Sequence, residues 1–179
     1  MAKYIASDSV LSLGSFSKIM APGLRLGWIQ TGPRLLNRII GCGLLESGGG
    51  LNPFTSALVC SAIEMGLQDD QLKTLITTYT ERKKALSKAL KKHLPDTVRF
   101  IEPDGGFFIW LVFPEGVDTE QMRVEAQRKN VGYLPGVKFS SGRKLKNCAR
   151  LSFSYFDIPQ LEEGARRLSE VIKAYMNDE

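Results

Sequence analysis

Ser15-Phe16-Ser17-Lys18-Ile19-Met20-Ala21-Pro22-Gly23-Leu24-Arg25-Leu26-Gly27-Trp28 is the stretch on which the reading of this chain turns. It follows an apolar run at residues 9–13 and leads into another at 26–31, which predicts two short strands with a lysine-bearing turn between them. Ser15 and Ser17 set hydroxyls just before the lysine, and Arg25 follows it by seven residues. Pro22-Gly23 lets the chain reverse tightly between lysine and arginine. Hydroxyls and a guanidinium are the donors a phosphate takes, and the planar guanidinium grips it with two prongs. A lysine beside them is placed to hold a phosphorylated aldehyde as a Schiff base. Only about 0.04% of an ordinary lysine is neutral at pH 7. Such a lysine needs its pKa lowered, or must be kept as the imine. Arg25 favours the neutral amine by repulsion, and a phosphate held between the two would offset that charge.

Outward from this turn, Gly32-Pro33 opens a helix, because proline suits the first helical position, and Leu35, Leu36, Ile39 and Ile40 give it an apolar stripe. Gly48-Gly49-Gly50 predicts a flexible loop but no phosphate loop, since no Gly-Lys-Ser/Thr follows. Asn52-Pro53 starts the next helix, with Leu58, Val59, Ala62 and Ile63 as its buried side. Asp69 or Asp70 caps a long helix that runs to about His93 and stops at Pro95, with Leu72, Leu75, Ile76, Tyr79, Leu86 and Leu90 at helical spacing. Strands are predicted at 98–101 and 106–113, joined by the Pro103-Asp104-Gly105 turn. The run 107–113 reads as a buried strand, too short to span a bilayer. Asp118 caps a helix with Gln121 three residues on, strands follow at 131–134 and 149–153, and an amphipathic helix follows Pro159. The expectation is an α/β chain in two zones. Residues 1–70 form part of a larger α/β layer, and residues 71–179 form an α+β lobe entered through the long helix.

Composition fits a soluble globular protein, with 43% hydrophobic and 24% charged residues among 179. The net charge of +5 comes largely from residues 82–92 and 138–150. These lack the interleaved aromatics or module signature of nucleic-acid binding, so a solvated face is the reading and no nucleic-acid partner is expected. Three distant cysteines and one histidine leave no material for a disulfide framework, a zinc site or a histidine-dependent triad, and no metal is expected. No apolar leader is visible, no membrane partner is expected, and the cytoplasm is the default compartment.

The run from Ser15 to Trp28, taken whole, resembles the class I/II aminotransferases of the fold-type I pyridoxal-phosphate enzymes, nearest to their aminoadipate- and kynurenine-type branch. Three further segments carry the resemblance in order: Asp104-Gly105-Gly106-Phe107-Phe108-Ile109-Trp110, then Pro135-Gly136 with Phe139, then Asn147-Cys148-Ala149-Arg150-Leu151-Ser152-Phe153-Ser154. The resemblance implies the C-terminal part of that fold: a remnant of the large-domain sheet, a long connecting helix and an α+β small domain. It implies pyridoxal 5'-phosphate as cofactor and Lys18 as catalytic Schiff-base lysine. Ser15, Ser17 and Arg25 would hold the cofactor phosphate, and Arg150 the substrate carboxylate. It also implies transamination between an amino acid and a 2-oxo acid, with 2-oxoglutarate as the acceptor, and a homodimer when full length. A full-length member is more than twice as long, and its first half carries the aspartate and aromatic that meet the cofactor ring. The chain is therefore expected to be a truncated product, inactive alone. Two other readings fit the same residues: an aminotransferase-like effector domain of a transcription regulator, and a non-catalytic binding remnant.

Overall fold

A computed structural model describes residues 2–46 and 51–177, so the predicted loop at Gly48-Gly49-Gly50 lies outside the described residues. The backbone divides into two compact units, Met1–Leu75 and Ile76–Glu179.

In the first unit a 3-10 turn (Ala2–Ser7) leads into strand β1 (Leu11–Ser15), and β2 (Gly27–Thr31) pairs with it antiparallel. β1 starts two residues later than the apolar run suggests. Asp8, at φ 54°, turns the chain there instead and spends its carboxylate on the helix that follows β2. The ladder sets Gly14 opposite Trp28. A Cβ at Gly14 would meet the indole at 2.1 Å, so glycine is what lets Trp28 lie across the strand. The indole then meets Phe16, with ring centroids 4.7 Å apart.

Helix α1 (Pro33–Ile40) has proline in its first turn, as expected, and glycine at its cap. The side-chain cap comes from far along the chain: Asp8 Oδ1 accepts from the Arg34 amide at 2.9 Å. A Cβ on Gly32 would lie 2.2 Å from that carboxylate. A short helix α2 (Gly43–Glu46) follows. In α3 (Pro53–Glu64) the Asn52 side chain accepts from the Thr55 amide, the expected N-cap. Of the four residues expected on its inner side, Val59 is buried, while Leu58 and Ile63 stand about half exposed at 52% and 48%.

Helix α4 (Leu67–His93) begins in the first unit and ends in the second. Its start precedes Asp69 and Asp70, which sit within the first turn and complement the positive end of the helix rather than capping it.

The second unit holds a four-stranded antiparallel sheet of β3 (Arg99–Phe100), β4 (Phe108–Val112), β5 (Leu134–Pro135) and β6 (Cys148–Ser152), in the order β3-β4-β6-β5. Helices α5 (Thr119–Arg128) and α6 (Ile158–Asn177) join the C-terminal half of α4 in packing on it. The core draws Leu86 and Leu90 from α4, Ile109 and Leu111 from β4, Met122 from α5, Leu151 from β6, and Leu161, Leu168 and Ile172 from α6. The run 107–113 is thus not buried on both faces as expected. It alternates, with Ile109 and Leu111 inward and Phe108 and Val112 exposed, because helices cover one face of the sheet. The strand predicted at 131–134 shrinks to Leu134–Pro135, where its ladder to β6 begins. Val131 and Tyr133 before it enter the core instead.

Asp118 caps α5 by accepting from the amides of Glu120 and Gln121. The fully buried Thr119 holds the start of β6: its hydroxyl lies 2.8 Å from the Lys146 carbonyl and 2.7 Å from that of Cys148, and its own carbonyl accepts from Tyr133. Burial raises the Tyr133 hydroxyl pKa well above its ordinary value. All three cysteines are free, and among the described residues no helix is long and apolar enough to cross a membrane.

Candidate active site

The five residues singled out from the sequence fall into two groups. Ser15, Ser17, Lys18 and Arg25 share the end of the β1–β2 hairpin in the first unit, and Arg150 lies on the sheet of the second.

At the hairpin end the chain winds around one carbonyl. The amides of Ile19, Met20 and Ala21 lie 3.3, 2.8 and 3.2 Å from the Phe16 oxygen. Ser15 Oγ accepts from the Ser17 amide at 3.2 Å, which turns the backbone into the loop. Lys18 stands exposed on this turn. A 3-10 turn (Pro22–Leu24) then delivers Arg25 with a left-handed backbone, φ 50° and ψ 41°. One of its guanidinium nitrogens donates to the Pro22 carbonyl at 3.2 Å, and the rest of the fork stays available. Residues 9–45 contain no aspartate or glutamate, so the two hydroxyls and the guanidinium sit in a segment whose only formal charges are positive. That donor set fits a phosphate monoester.

In the second unit the strand ladder sets Arg150 opposite both Trp110 and Leu134. Alternation along β4 puts Phe108 and Trp110 on the face that does not enter the core. The Arg150 guanidinium lies over the Phe108 ring at 3.8 Å and over the Phe139 ring at 4.6 Å, and Phe139 in turn meets Trp110 edge-on at 5.4 Å. These aromatic faces orient the fork without consuming its N–H donors. Among the described residues neither Lys18 nor Arg150 has an ion-pair partner. From α4, Arg82 donates to the Ser154 carbonyl just after β6 at 2.8 Å, and Lys83 to the Pro103 carbonyl between β3 and β4 at 2.9 Å.

Sequence reasoning missed three contributors. Phe108 was within reach, since strand alternation puts it beside Trp110. Phe139 comes from a loop whose fold no local pattern dictates. Gln68 is buried in the first turn of α4 and donates from Nε2 to the Ile19 carbonyl at 3.0 Å, a contact between residues 49 apart in sequence.

Comparison with known proteins places both units in one family match. Residues 1–168 match the family described as aminotransferase class I and II. The aromatic-amino-acid aminotransferase 1 of Thermococcus litoralis is 38% identical over 169 residues, which cover 93% of this chain and 40% of that protein. The crystal structure of a multiple substrate aminotransferase from Thermococcus profundus superposes with a TM-score of 0.86 at 37% identity, covering 95% of this chain and 42% of the other. That of an α-aminoadipate aminotransferase from Thermus thermophilus, complexed with N-(5'-phosphopyridoxyl)-L-leucine, superposes at 0.84 with 29% identity, covering 95% and 43%. The chain therefore spans about two fifths of the length of the relatives it matches, corresponding to their C-terminal part. A match that runs through both the Lys18 hairpin and the Arg150 strand places this chain in the class I and II aminotransferase family.

Proposed function

We propose that this chain provides the lysine and arginine of a pyridoxal-phosphate-dependent aminotransferase, which moves an amino group from an amino acid to a 2-oxo acid. The observation that carries this reading is Arg150: a guanidinium laid over two aromatic rings with its N–H donors uncommitted among the described residues, in a member of this family. That geometry suits a carboxylate, which takes two parallel N–H bonds from such a fork.

Ser15, Ser17 and Arg25 bind the cofactor phosphate, and Lys18 carries the cofactor. When bound, pyridoxal phosphate supplies an electrophilic aldehyde and an electron-withdrawing ring. As a free amine, Lys18 Nζ would take the proton from the Cα of the donor amino acid and deliver one to the Cα of the amino acid formed from the 2-oxo acid. Arg150 orients that carbon by holding the adjacent carboxylate. The phosphopyridoxyl ligand of the Thermus relative supports the choice of cofactor. The proposal extends to 2-oxoglutarate as acceptor, a homodimeric whole protein and a cytoplasmic setting.

Reductive trapping of pyridoxal phosphate with borohydride, read by peptide mass, is expected to label Lys18 selectively and to lose that label in Lys18→Ala. In the holoprotein, Arg150→Ala is expected to lower kcat/KM roughly 30- to 100-fold, chiefly through KM, because it removes charged hydrogen bonds to the substrate. Indiscriminate labelling of exposed lysines, or an unchanged kcat/KM in Arg150→Ala, would sink the proposal.

A further inference from the structure

We propose that Gln68 is a positioning residue for Lys18, an inference that rests on the proposed role of Lys18 as the cofactor-carrying lysine. Gln68 is 8% exposed in the first turn of α4. Its Nε2 donates to the Ile19 carbonyl at 3.0 Å. Ile19 directly follows Lys18, so this bond fixes the second peptide unit after the lysine Cα. The other side of the same turn is tied through the Phe16 carbonyl, on which the amides of Ile19, Met20 and Ala21 converge. Lys18 is thus bracketed by two anchors. One belongs to the turn's own backbone. The other comes from a helix remote in sequence.

The orientation of the amide follows from its chemistry. Turned over, it would press Oε1 against the Ile19 oxygen, acceptor against acceptor. In the orientation present, Oε1 is buried with no donor among the described residues. A buried unpaired acceptor costs stability, and methionine would fill the same volume without that cost. Packing alone therefore does not account for glutamine here, whereas the bond from Nε2 does. A long exposed side chain such as Lys18 keeps its own rotamer freedom, so its reach toward a fixed point depends on how firmly its backbone is held.

The test uses the full chain and two variants. Gln68→Met keeps length and apolar volume but has no donor. Gln68→Glu keeps shape and replaces the donor with an acceptor facing the Ile19 oxygen. Each protein is treated with pyridoxal phosphate and borohydride, and the label on Lys18 is divided by that on Lys92, an exposed lysine of the second unit. Amide hydrogen exchange is followed across the first unit in the same samples without cofactor. Wild type is expected to favour Lys18. The ratio is expected to fall about fivefold in Gln68→Met, the worth of one neutral hydrogen bond, and further in Gln68→Glu. Exchange is expected to quicken at residues 19–21 while the thermal midpoint of Gln68→Met holds. If both variants keep the wild-type ratio, the inference is overturned and the role of Lys18 stands. If exchange rises evenly across the first unit in both, Gln68 is a packing residue and the inference is overturned. If wild type shows no preference for Lys18, the proposed role of that lysine fails and the inference falls with it.

Discussion

The two units contrast in what holds their elements in place. In the second, Leu90, Ile109, Met122 and Ile172 expose no surface at all. In the first, helices and strands are equally regular, yet Leu13 is 75% exposed, Phe54 80% and Met65 72%. The first unit instead has local devices: the Gly14–Trp28 fit, the Asn52 cap and the Asp8 carboxylate on α1. Local geometry and burial are therefore separable. Caps, turns and one strand ladder suffice to shape elements, but a layer with an apolar face is stabilised only when a second layer covers it.

Each unit carries one of the chain's two tryptophans, Trp28 and Trp110, so Trp28→Phe and Trp110→Phe backgrounds report on the units separately. The largest effect expected is from Ile109→Ala, which empties part of a closed core and should cost about 2–5 kcal/mol in urea unfolding followed by Trp110 fluorescence. A cost under about 1 kcal/mol would break the contrast from the side of the second unit. Next come the caps. Asp118→Ala and Asn52→Ala should each cost ~1 kcal/mol in their own unit, because a cap bond is local and indifferent to what covers the helix. Leu13→Ala should change the Trp28-reported transition by no more than about 0.5 kcal/mol. A loss approaching that of Ile109→Ala would show that Leu13 is covered in solution.

The smallest effect concerns acid. Hydrogen bonds from Arg166, then Arg167, hold the Glu163 carboxyl down from 4.5 to about 2. A lowered folded pKa stabilises the fold above pH 4.5, and that contribution is lost as the pH falls toward about 2. Glu163 lies on the surface of the second unit, so Glu163→Gln should only flatten the acid limb of a plot of thermal midpoint against pH. A midpoint difference between wild type and Glu163→Gln that stayed the same from neutral pH down to pH about 2 would contradict the assignment.

What could be read from the sequence divides along the same line. The Lys18 turn, the Asn52 and Asp118 caps, the long helix and the Arg150 strand are written in residues a few positions apart. The Asp8–Arg34 and Gln68–Ile19 bonds join residues 26 and 49 positions apart, and no periodicity encodes them. The same limit explains Leu58 and Ile63. Helical spacing states which residues share a face, but not whether anything lies opposite that face. It explains the run 107–113 too, where seven apolar residues in a row hid an alternation. Phe108 lies under the Arg150 guanidinium and Trp110 against Phe139, while Ile109 and Leu111 face the core.

Arg25 remains a residue at odds with its own backbone. Its left-handed conformation, φ 50°, is one that glycine adopts freely and that costs an L side chain about 1 kcal/mol. A sturdier hairpin and the phosphate-binding role proposed for this fork therefore pull this position in opposite directions. A lineage that no longer used the fork would be free to drift toward glycine here, so the identity of residue 25 is a gauge of whether the hairpin is still being kept for chemistry.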